Sequence, residues 1–407
     1  VDYASLAGWV ASDAALRRRQ RLQPVGGRGD KIFPPTYPGE GRNAGPRHVF
    51  ERRRIDGADV WCVLVDSVQS QANRLEEALL AAVRDGSLAL PHVVVDFTGC
   101  ELAGVETITS LDAPHRVYDA ILRDSLLDGQ PFMKSPLGQR LAAAKPNDAT
   151  ALLETSPSAL LFGAWHSTGE GGGLGAKFAR CLVSEIVAVN TPVEEIADQR
   201  SGEIEPRTSG RRTGSRIDPL GVLRKVEVYK GPGGWDIDPQ RTGRGAKKVR
   251  PSEINHGNIA PTVQPLGVTC DYAEHVAVIS LAGLRRLGFG GGERDTAGRA
   301  LLAALGLAAL TEQDARGYAL RSRCDLVCEE RAPLEVVHAD GGVEPVSIDR
   351  AAARRLYADA CAAARDAGFA LAREPIRLTP QDKLVAIVRR SQQLALAGEG
   401  GETDEAG

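Results

Sequence analysis

The residues of this 407-residue chain best placed to do chemistry lie between Leu153 and Asn190. A short apolar run there, Leu160, Leu161, Phe162 and Trp165, leads into a glycine loop from Gly169 to Gly175, and Lys177 and Arg180 follow at once. Glycines allow a backbone to approach a ligand closely, and successive N–H groups in such a loop can cradle an anion. An anionic partner is therefore the first expectation, with a ligand-free surface loop as the plain alternative. A phosphate-binding P-loop needs Gly-Lys followed by Ser or Thr to hold magnesium. Here Gly175 is followed by Ala176, Lys177 and Phe178, which argues against nucleotide hydrolysis. Gly171, Gly173 and Ala176 match the spacing of a dinucleotide-binding turn, but His166, Ser167 and Thr168 intervene where a tight strand-to-helix turn is required. No cofactor is expected.

Other reactive groups are sparse. Cys324 and Cys328 lie four apart with no second pair to complete a zinc site, so they are expected to be structural thiols. His166 adjoins Ser167, yet neighbours on a strand point to opposite faces and cannot form a nucleophile and base. His256 could pair with Glu253 to cleave RNA. Asp96, Asp218, Asp236 and Asp238 show no two-metal spacing on one rigid element. The chain reads as a binder of a polymer and not as its nuclease.

Composition points the same way. Hydrophobic residues make up 43 %, enough for a sizeable core, and no apolar run reaches spanning length, so no membrane partner is expected. Seven scattered cysteines and a basic cluster placed after the first apolar stretch favour a reducing cytoplasm over a secretory route. The net charge of −3 conceals a strong separation of sign. Eleven Lys/Arg face three acids from Arg17 to Arg54, and twelve face five from Glu205 to Arg250. Basic tracts of this size steer a polyanion.

The elements that must position these groups follow from periodicity. A helix is expected over Ala11 to Leu22, then a long basic loop pinned at Ile32, Phe33 and Tyr37. Val60 to Val65 is a strand, followed by a helix capped at Asp66 or Ser67 whose flank carries Asn73 and Arg74. Pro91 to Phe97 is a second strand, and Asp112 to Leu127 a second helix opened by Pro114. The Leu153 to Asn190 region supplies a strand, the glycine loop, a short helical turn and another strand. Ile196 to Arg216 lacks apolar periodicity and is expected to be an unstructured excursion. Val222 to Asp238 is a hairpin turning at Gly231, Pro232, Gly233 and Gly234, with Lys225, Tyr229, Lys230 and Trp235 placing cations beside aromatics. PSEINHGNIAPTV is expected as loop, His275 to Leu281 as strand, Leu284 to Leu287 as a short turn of helix, Thr296 to Leu310 as a core helix, and Tyr318 to Val327 as an edge strand. Surface helices over Ala351 to Ala367 and Pro380 to Leu396 precede a disordered acidic tail. The fold expected is α+β, an antiparallel sheet backed by helices. Its organisation is a helix and basic loop over 1–59, a core over 60–330 with a basic insertion at about 191–260, and a helical extension over 331–407.

Several stretches carry a family resemblance: LQPVGGRGDKIFPPTYP, LVDSVQSQANRLEEALL, TSLDAPHRVYDAILRDS, SALLFGAWHS with GGGLGAKFARCLVSEIVAVN, SRIDPLGV, INHGNIAPTV and LRSRCDLV. In this order, over roughly residues 20 to 330, the chain resembles the backbone subunit family of the type I-G (formerly I-U) CRISPR effector complex, within the repeat-associated mysterious protein (RAMP) superfamily. The resemblance implies an RNA-recognition-like, ferredoxin-like core with large insertions forming palm, fingers and thumb. It also implies a non-catalytic role in antiviral defence: copies pack head to tail along the spacer of the crRNA, with other effector subunits, and present its bases to target DNA. Within matching motifs, Asn73, Arg74, Lys177, Arg180 and Arg216 are the implied guide contacts. Shape and charge add Lys225, Lys230, Trp235, Lys247 and Lys248 on the hairpin segment, taken as the thumb. An RNA-processing endonuclease of the same superfamily using His256, or an interaction scaffold that binds no RNA, are the alternatives.

Overall fold

Burial alternates along the first long element. Leu16, Arg18, Gln20 and Leu22 are buried while Arg19 and Arg21 are exposed, so Ala15–Pro24 is a strand. The helix expected over Ala11 to Leu22 is thus displaced. It is Tyr3–Ser12, capped by Asp2, whose carboxylate accepts from the Ser5 N–H at 2.9 Å. A period of two sends Arg17, Arg19 and Arg21 to one face and turns Arg18 inward to a bidentate pairing with Asp314. A helix would have buried none of the arginines consistently.

The structure, a computed structural model, describes residues 1–39, 45–166, 175–197 and 204–396. Most of the glycine loop, with Ser167, and the acidic tail lie outside the described residues. Two compact units are present. The first comprises Val1–Asp30, Leu64–Val189 and Asp271–Val388, and the second Lys31–Val63, Asn190–Cys270 and Arg389–Gly407.

The first unit is built on a strand, helix, strand, strand, helix, strand sequence: Ala15–Pro24, Val68–Arg84, Leu182–Val189, Tyr272–Ser280, Gly292–Arg316 and Cys324–Glu330. The fourth strand pairs with the first, the first with the third, and the third with the second, all antiparallel. That 4-1-3-2 order is the ferredoxin-like arrangement. The expected α+β fold, an antiparallel sheet backed by helices and enlarged by insertions, is the one the chain adopts. The Ser67 hydroxyl caps the first helix by accepting from the Ser70 N–H at 3.2 Å, and Ala72, Leu75 and Leu79 lie buried on one face. The second helix is lined with buried Ala and Leu and holds Gly306 where a Cβ would stand 2.7 Å from Ile279 Cδ1. A mid-helix glycine costs about 1 kcal/mol relative to alanine; close approach to the third strand accounts for it.

An insertion after the first helix, joined by a strand from the far end of the unit, forms a second sheet with strand order Thr107–Thr109, Val93–Asp96, Ile376–Pro380, Ser125–Leu127, Gln130–Pro131. The helix expected over Asp112 to Leu127 is broken there into a 3-10 turn Arg116–Tyr118, a single turn Ala120–Arg123 and a strand Ser125–Leu127. Arg116 adopts φ 54°, which a continuous helix cannot contain, and Asp119 restarts the helix by accepting from the Ile121 N–H at 2.9 Å.

The second unit contains a hairpin of Phe50–Ile55 with the start of Ala58–Asp66 and three small sheets. Val193–Ala197 pairs with Ile204–Thr208, Arg212–Arg216 with Ile259–Gln264, and Val228–Gly231 lies between Gly234–Asp236 and Lys247–Val249. Of the excursion expected from Ile196 to Arg216, residues 198–203 lie outside the described residues and the rest is largely strand, and PSEINHGNIAPTV is a 3-10 turn Pro251–Ile254 followed by strand. Ile259–Gln264 is exposed along its whole length. A ribbon open on both faces needs no apolar alternation, so none is written in its sequence. Among the described residues no helix is long and apolar enough to cross a membrane.

Candidate nucleic-acid interface

In the first unit, the strand expected before the glycine loop is two short helices, Thr150–Thr155 and Pro157–Phe162, which bury Leu160, Leu161 and Phe162. Gly163, at φ 86°, then turns the chain into the two-residue strand Ala164–Trp165, whose partner is Lys177–Phe178 and not a helical turn. A Cβ on Gly163 would stand 3.2 Å from the Arg180 nitrogen and the Phe178 oxygen, so the ribbon closes tightly at its base. Trp165 is not a core residue: it is 60 % exposed. It stands directly opposite Lys177, which places both side chains on one face. Lys177 is exposed and makes no ion pair among the described residues.

Arg180 is half-buried, and its Nε donates to the Phe162 carbonyl at 3.0 Å. Arg116 donates from Nη1 to the Gly163 carbonyl at 3.0 Å and grips Glu76 with Nε at 2.8 Å and Nη2 at 2.6 Å. Burial pushes the Glu76 carboxyl up to about 7 against the pull of Arg116 and Arg180. Burial, with the repulsion of Arg116 added, lowers the Arg180 guanidinium from its usual value. Behind the ribbon the His166 ring stacks on Tyr118 at 4.8 Å, and Tyr118 donates to the Leu141 carbonyl at 2.8 Å. A groove of about 500 Å³, lined among others by Lys145, Asn147, Ala176 and Arg286, adjoins the ribbon at Ala176.

Asn73 is exposed on the first helix. Its neighbour Arg74 is anchored: Nε donates to Asp66 Oδ2 at 2.9 Å and Nη2 to the Leu320 carbonyl at 2.6 Å. Asp66, wholly buried, also accepts from Ser70 Oγ at 2.8 Å, Gln71 Nε2 at 2.6 Å and Arg321 Nη2 at 2.9 Å.

A serine–histidine pair that spacing alone could not reveal lies under the sheet. Ser184 Oγ is 2.7 Å from His275 Nε2, on neighbouring strands. It cannot act as a nucleophile and base, because both residues are fully buried and the other ring nitrogen faces the neutral Gln20 amide at 3.1 Å. Gln20 donates onward to Tyr318 at 2.6 Å, Tyr318 to Asp314 at 2.5 Å, and Ser184 to Gln71 at 3.0 Å, so the ring closes a polar network across the sheet. Burial, with Arg18 adding repulsion, pushes His275 down to about 3. Its depressed folded value means that stability present above pH 6.5 is lost as pH falls toward 3, at up to about 1.4 kcal/mol per pH unit. A His275→Gln variant should accordingly show an acid slope flatter than the wild type by up to one proton between pH 6.5 and 4.5, as read from urea midpoints.

In the second unit the expected hairpin is present and has a third strand. Lys230 is in register with Trp235 on one side and Lys247 on the other, so the three side chains form one row across an exposed sheet. Tyr229, Asp236 and Lys248 form the row on the opposite face. Lys248 pairs with Glu227, whereas Lys225, Lys230 and Lys247 make no ion pair among the described residues. Lys225 lines a shallow groove of about 250 Å³ with Arg224, Glu227, Lys248, Arg250 and Glu253. Arg216 donates to the Asn255 carbonyl, which fixes it against the following segment.

Two motifs distant in sequence meet here. Asp218 accepts from the Gly257 N–H at 2.6 Å, and its own N–H donates to Asn258 Oδ1 at 2.7 Å, locking SRIDPLGV onto INHGNIAPTV. The backbone N–H groups of Gly257, Leu220 and Val222 hold the Asp218 carboxyl below the usual carboxylate range. His256 and Glu253 do not pair as expected. Glu253 accepts from the Arg250 N–H at 2.9 Å, and the His256 ring stands edge-on to Trp235 at 5.4 Å. Among the described residues, no group of three or more His, Cys, Asp or Glu could hold a metal ion. Cys324 and Cys328 form no disulfide among the described residues.

Comparison with known proteins bears on this geometry. Residues 16–193 match the family model described as CRISPR-associated protein GSU0053, the stretch from the first strand of the ferredoxin-like sheet through its second. No curated protein matches the chain. Among solved structures, the crystal structure of Thermofilum pendens Csc2 is similar at 9 % identity and a TM-score of 0.29, with 96 % of this chain and 80 % of that one covered. At that TM-score the likeness carries neither fold nor function across.

Proposed function

We propose that this chain is a non-catalytic, crRNA-binding subunit of a CRISPR effector complex, a backbone subunit of the type I-G class. Copies of it line up along the spacer beside other effector subunits and hold the phosphates, leaving bases to pair with target DNA. The observation that carries this reading is the row Trp235, Lys230, Lys247, a ring followed by two cations with no ion-pair partner among the described residues, in line across an exposed sheet. Such a row suits a nucleic-acid backbone together with a stacked base. The match of residues 16–193 to a CRISPR-associated family supports RNA as the polyanion. Asn73, Arg74, Lys177, Arg180, Arg216, Lys225 and Lys248 are the further proposed contacts.

The test is purification of the chain with its nucleic acid, comparing the 260/280 nm absorbance ratio and the mass by light scattering before and after ribonuclease. Assemblies that fall apart on ribonuclease treatment are expected. A monomer that binds no single-stranded RNA at 50 mM salt would overturn the reading. Within it, the Lys225→Gln, Lys230→Gln, Lys247→Gln triple variant should bind unrelated spacers equally more weakly. The slope of log affinity against log salt should flatten by about 2, since each single-strand phosphate contact contributes about 0.7. An unchanged slope removes these three lysines from the interface.

A further inference from the structure

Trp165 is exposed in a way that the other tryptophans with known partners are not. Trp61 donates from Nε1 to Glu195 at 2.8 Å and lies under the Arg52 guanidinium at 4.6 Å, and Trp235 meets the His256 ring. Trp165 has no hydrogen bond, ring contact or cation over its face among the described residues. A large ring left open to water on a two-residue strand does nothing for packing.

The segment that presents it is nevertheless held through its backbone groups. Arg116 ties down the Gly163 carbonyl on one flank, Arg180 the Phe162 carbonyl on the other, and the His166 N–H donates to the Ala176 carbonyl at 3.1 Å across the ribbon. The His166 ring, next in the chain, is fixed on Tyr118. At Gly175 a Cβ would stand 1.5 Å from the His166 carbonyl, so only glycine lets the two strands close. The ring is thus offered to solvent by a rigid support, which is the condition for binding without an ordering cost. Lys177 stands beside it on the same face.

We propose that Trp165 is a stacking platform for one unpaired base of single-stranded RNA, and that Lys177 takes the adjoining phosphate. The proposal rests on the RNA-binding reading above and adds a base contact in the first unit, separate from the row on the second. Every base offers a π-face, so the platform is indifferent to sequence.

The experiment uses the full chain and an unstructured 20-nucleotide RNA, followed by fluorescence anisotropy across a salt series. Trp165→Ala should weaken binding at least about fivefold with an unchanged salt slope, while Trp165→Phe stays within about threefold of the wild type. Lys177→Gln should flatten the slope by about 0.7. The same RNA made wholly abasic should bind the wild type more weakly, and should bind Trp165→Ala and the wild type more nearly alike. Equal RNA affinity of the wild type and Trp165→Ala, with the alanine variant changed in self-association instead, overturns the proposal and assigns the ring to a protein contact. A wild type that binds no RNA overturns the parent reading, an outcome distinct from the first.

Discussion

Replacing Arg116 by methionine is expected to cost about 3–5 kcal/mol of stability, because it strands a buried carboxylate. Glu76 is 2 % exposed and both its oxygens are taken by the Arg116 guanidinium, at 2.8 and 2.6 Å. Without that partner the carboxyl must stay protonated in the fold. A raised folded value makes its contribution greatest below the unfolded pKa of about 4.5 and erodes it as pH rises. The loss on substitution should therefore be larger at pH 8 than at pH 5, measured as a shift of the urea midpoint at each pH. A Glu76→Leu, Arg116→Met double variant should recover most of the deficit, since an apolar pair of similar volume needs no desolvation. Equal losses at the two pH values, or no recovery in the double variant, would show that the ion pair does not carry the effect. The single variant should also weaken RNA binding, because the Gly163 carbonyl loses its donor at the base of the ribbon.

Removal of the Asp66 carboxylate is the second large effect. Asp66 sits at the end of a strand with no exposed surface and receives Arg74, Arg321, Gln71 and Ser70. Asp66→Ala leaves two guanidinium groups without their carboxylate and is expected to lose about 3–5 kcal/mol. Arg74→Ala should lose less, because its side chain is 25 % exposed and Arg321 remains to satisfy the acid. The same variant separates two roles for Arg74. A fall in thermal midpoint with an unchanged salt slope of RNA binding assigns it to the strand–helix junction; a flattened slope assigns it to a phosphate.

The sequence was most legible where one face of an element is buried. Ala72, Leu75 and Leu79 announce their helix because the opposite face is wet, and the Gly-Pro-Gly-Gly run announces the hairpin at Lys230 and Trp235. The first strand was illegible for the converse reason: two of its inward positions are Arg18 and Gln20. Their burial makes sense only once Asp314, Tyr318 and His275 arrive from the far end of the chain. The ribbons between Val193 and Arg216 hide because neither face requires apolar residues. Asp112 to Leu127 has the apolar spacing of a helix, but Arg116 is drawn out of helical geometry beside Glu76, forty residues upstream. Trp165 continues an apolar run in sequence, and only the glycine at 163 distinguishes it from the buried residues before it.

The second sheet of the first unit has a consequence for how the protein is made. Its middle strand, Ile376–Pro380, pairs parallel with Val93–Asp96 and antiparallel with Ser125–Leu127. The two neighbours leave the ribosome about 280 and about 250 residues before the strand that joins them. Throughout that interval the nascent chain exposes two unsatisfied β-edges, one of them the apolar Val93, Val94, Val95. Unpaired apolar edges recruit other chains. Nascent polypeptides arrested before residue 376 should therefore depend on chaperones to stay soluble, and this sheet is completed only once that strand has been translated.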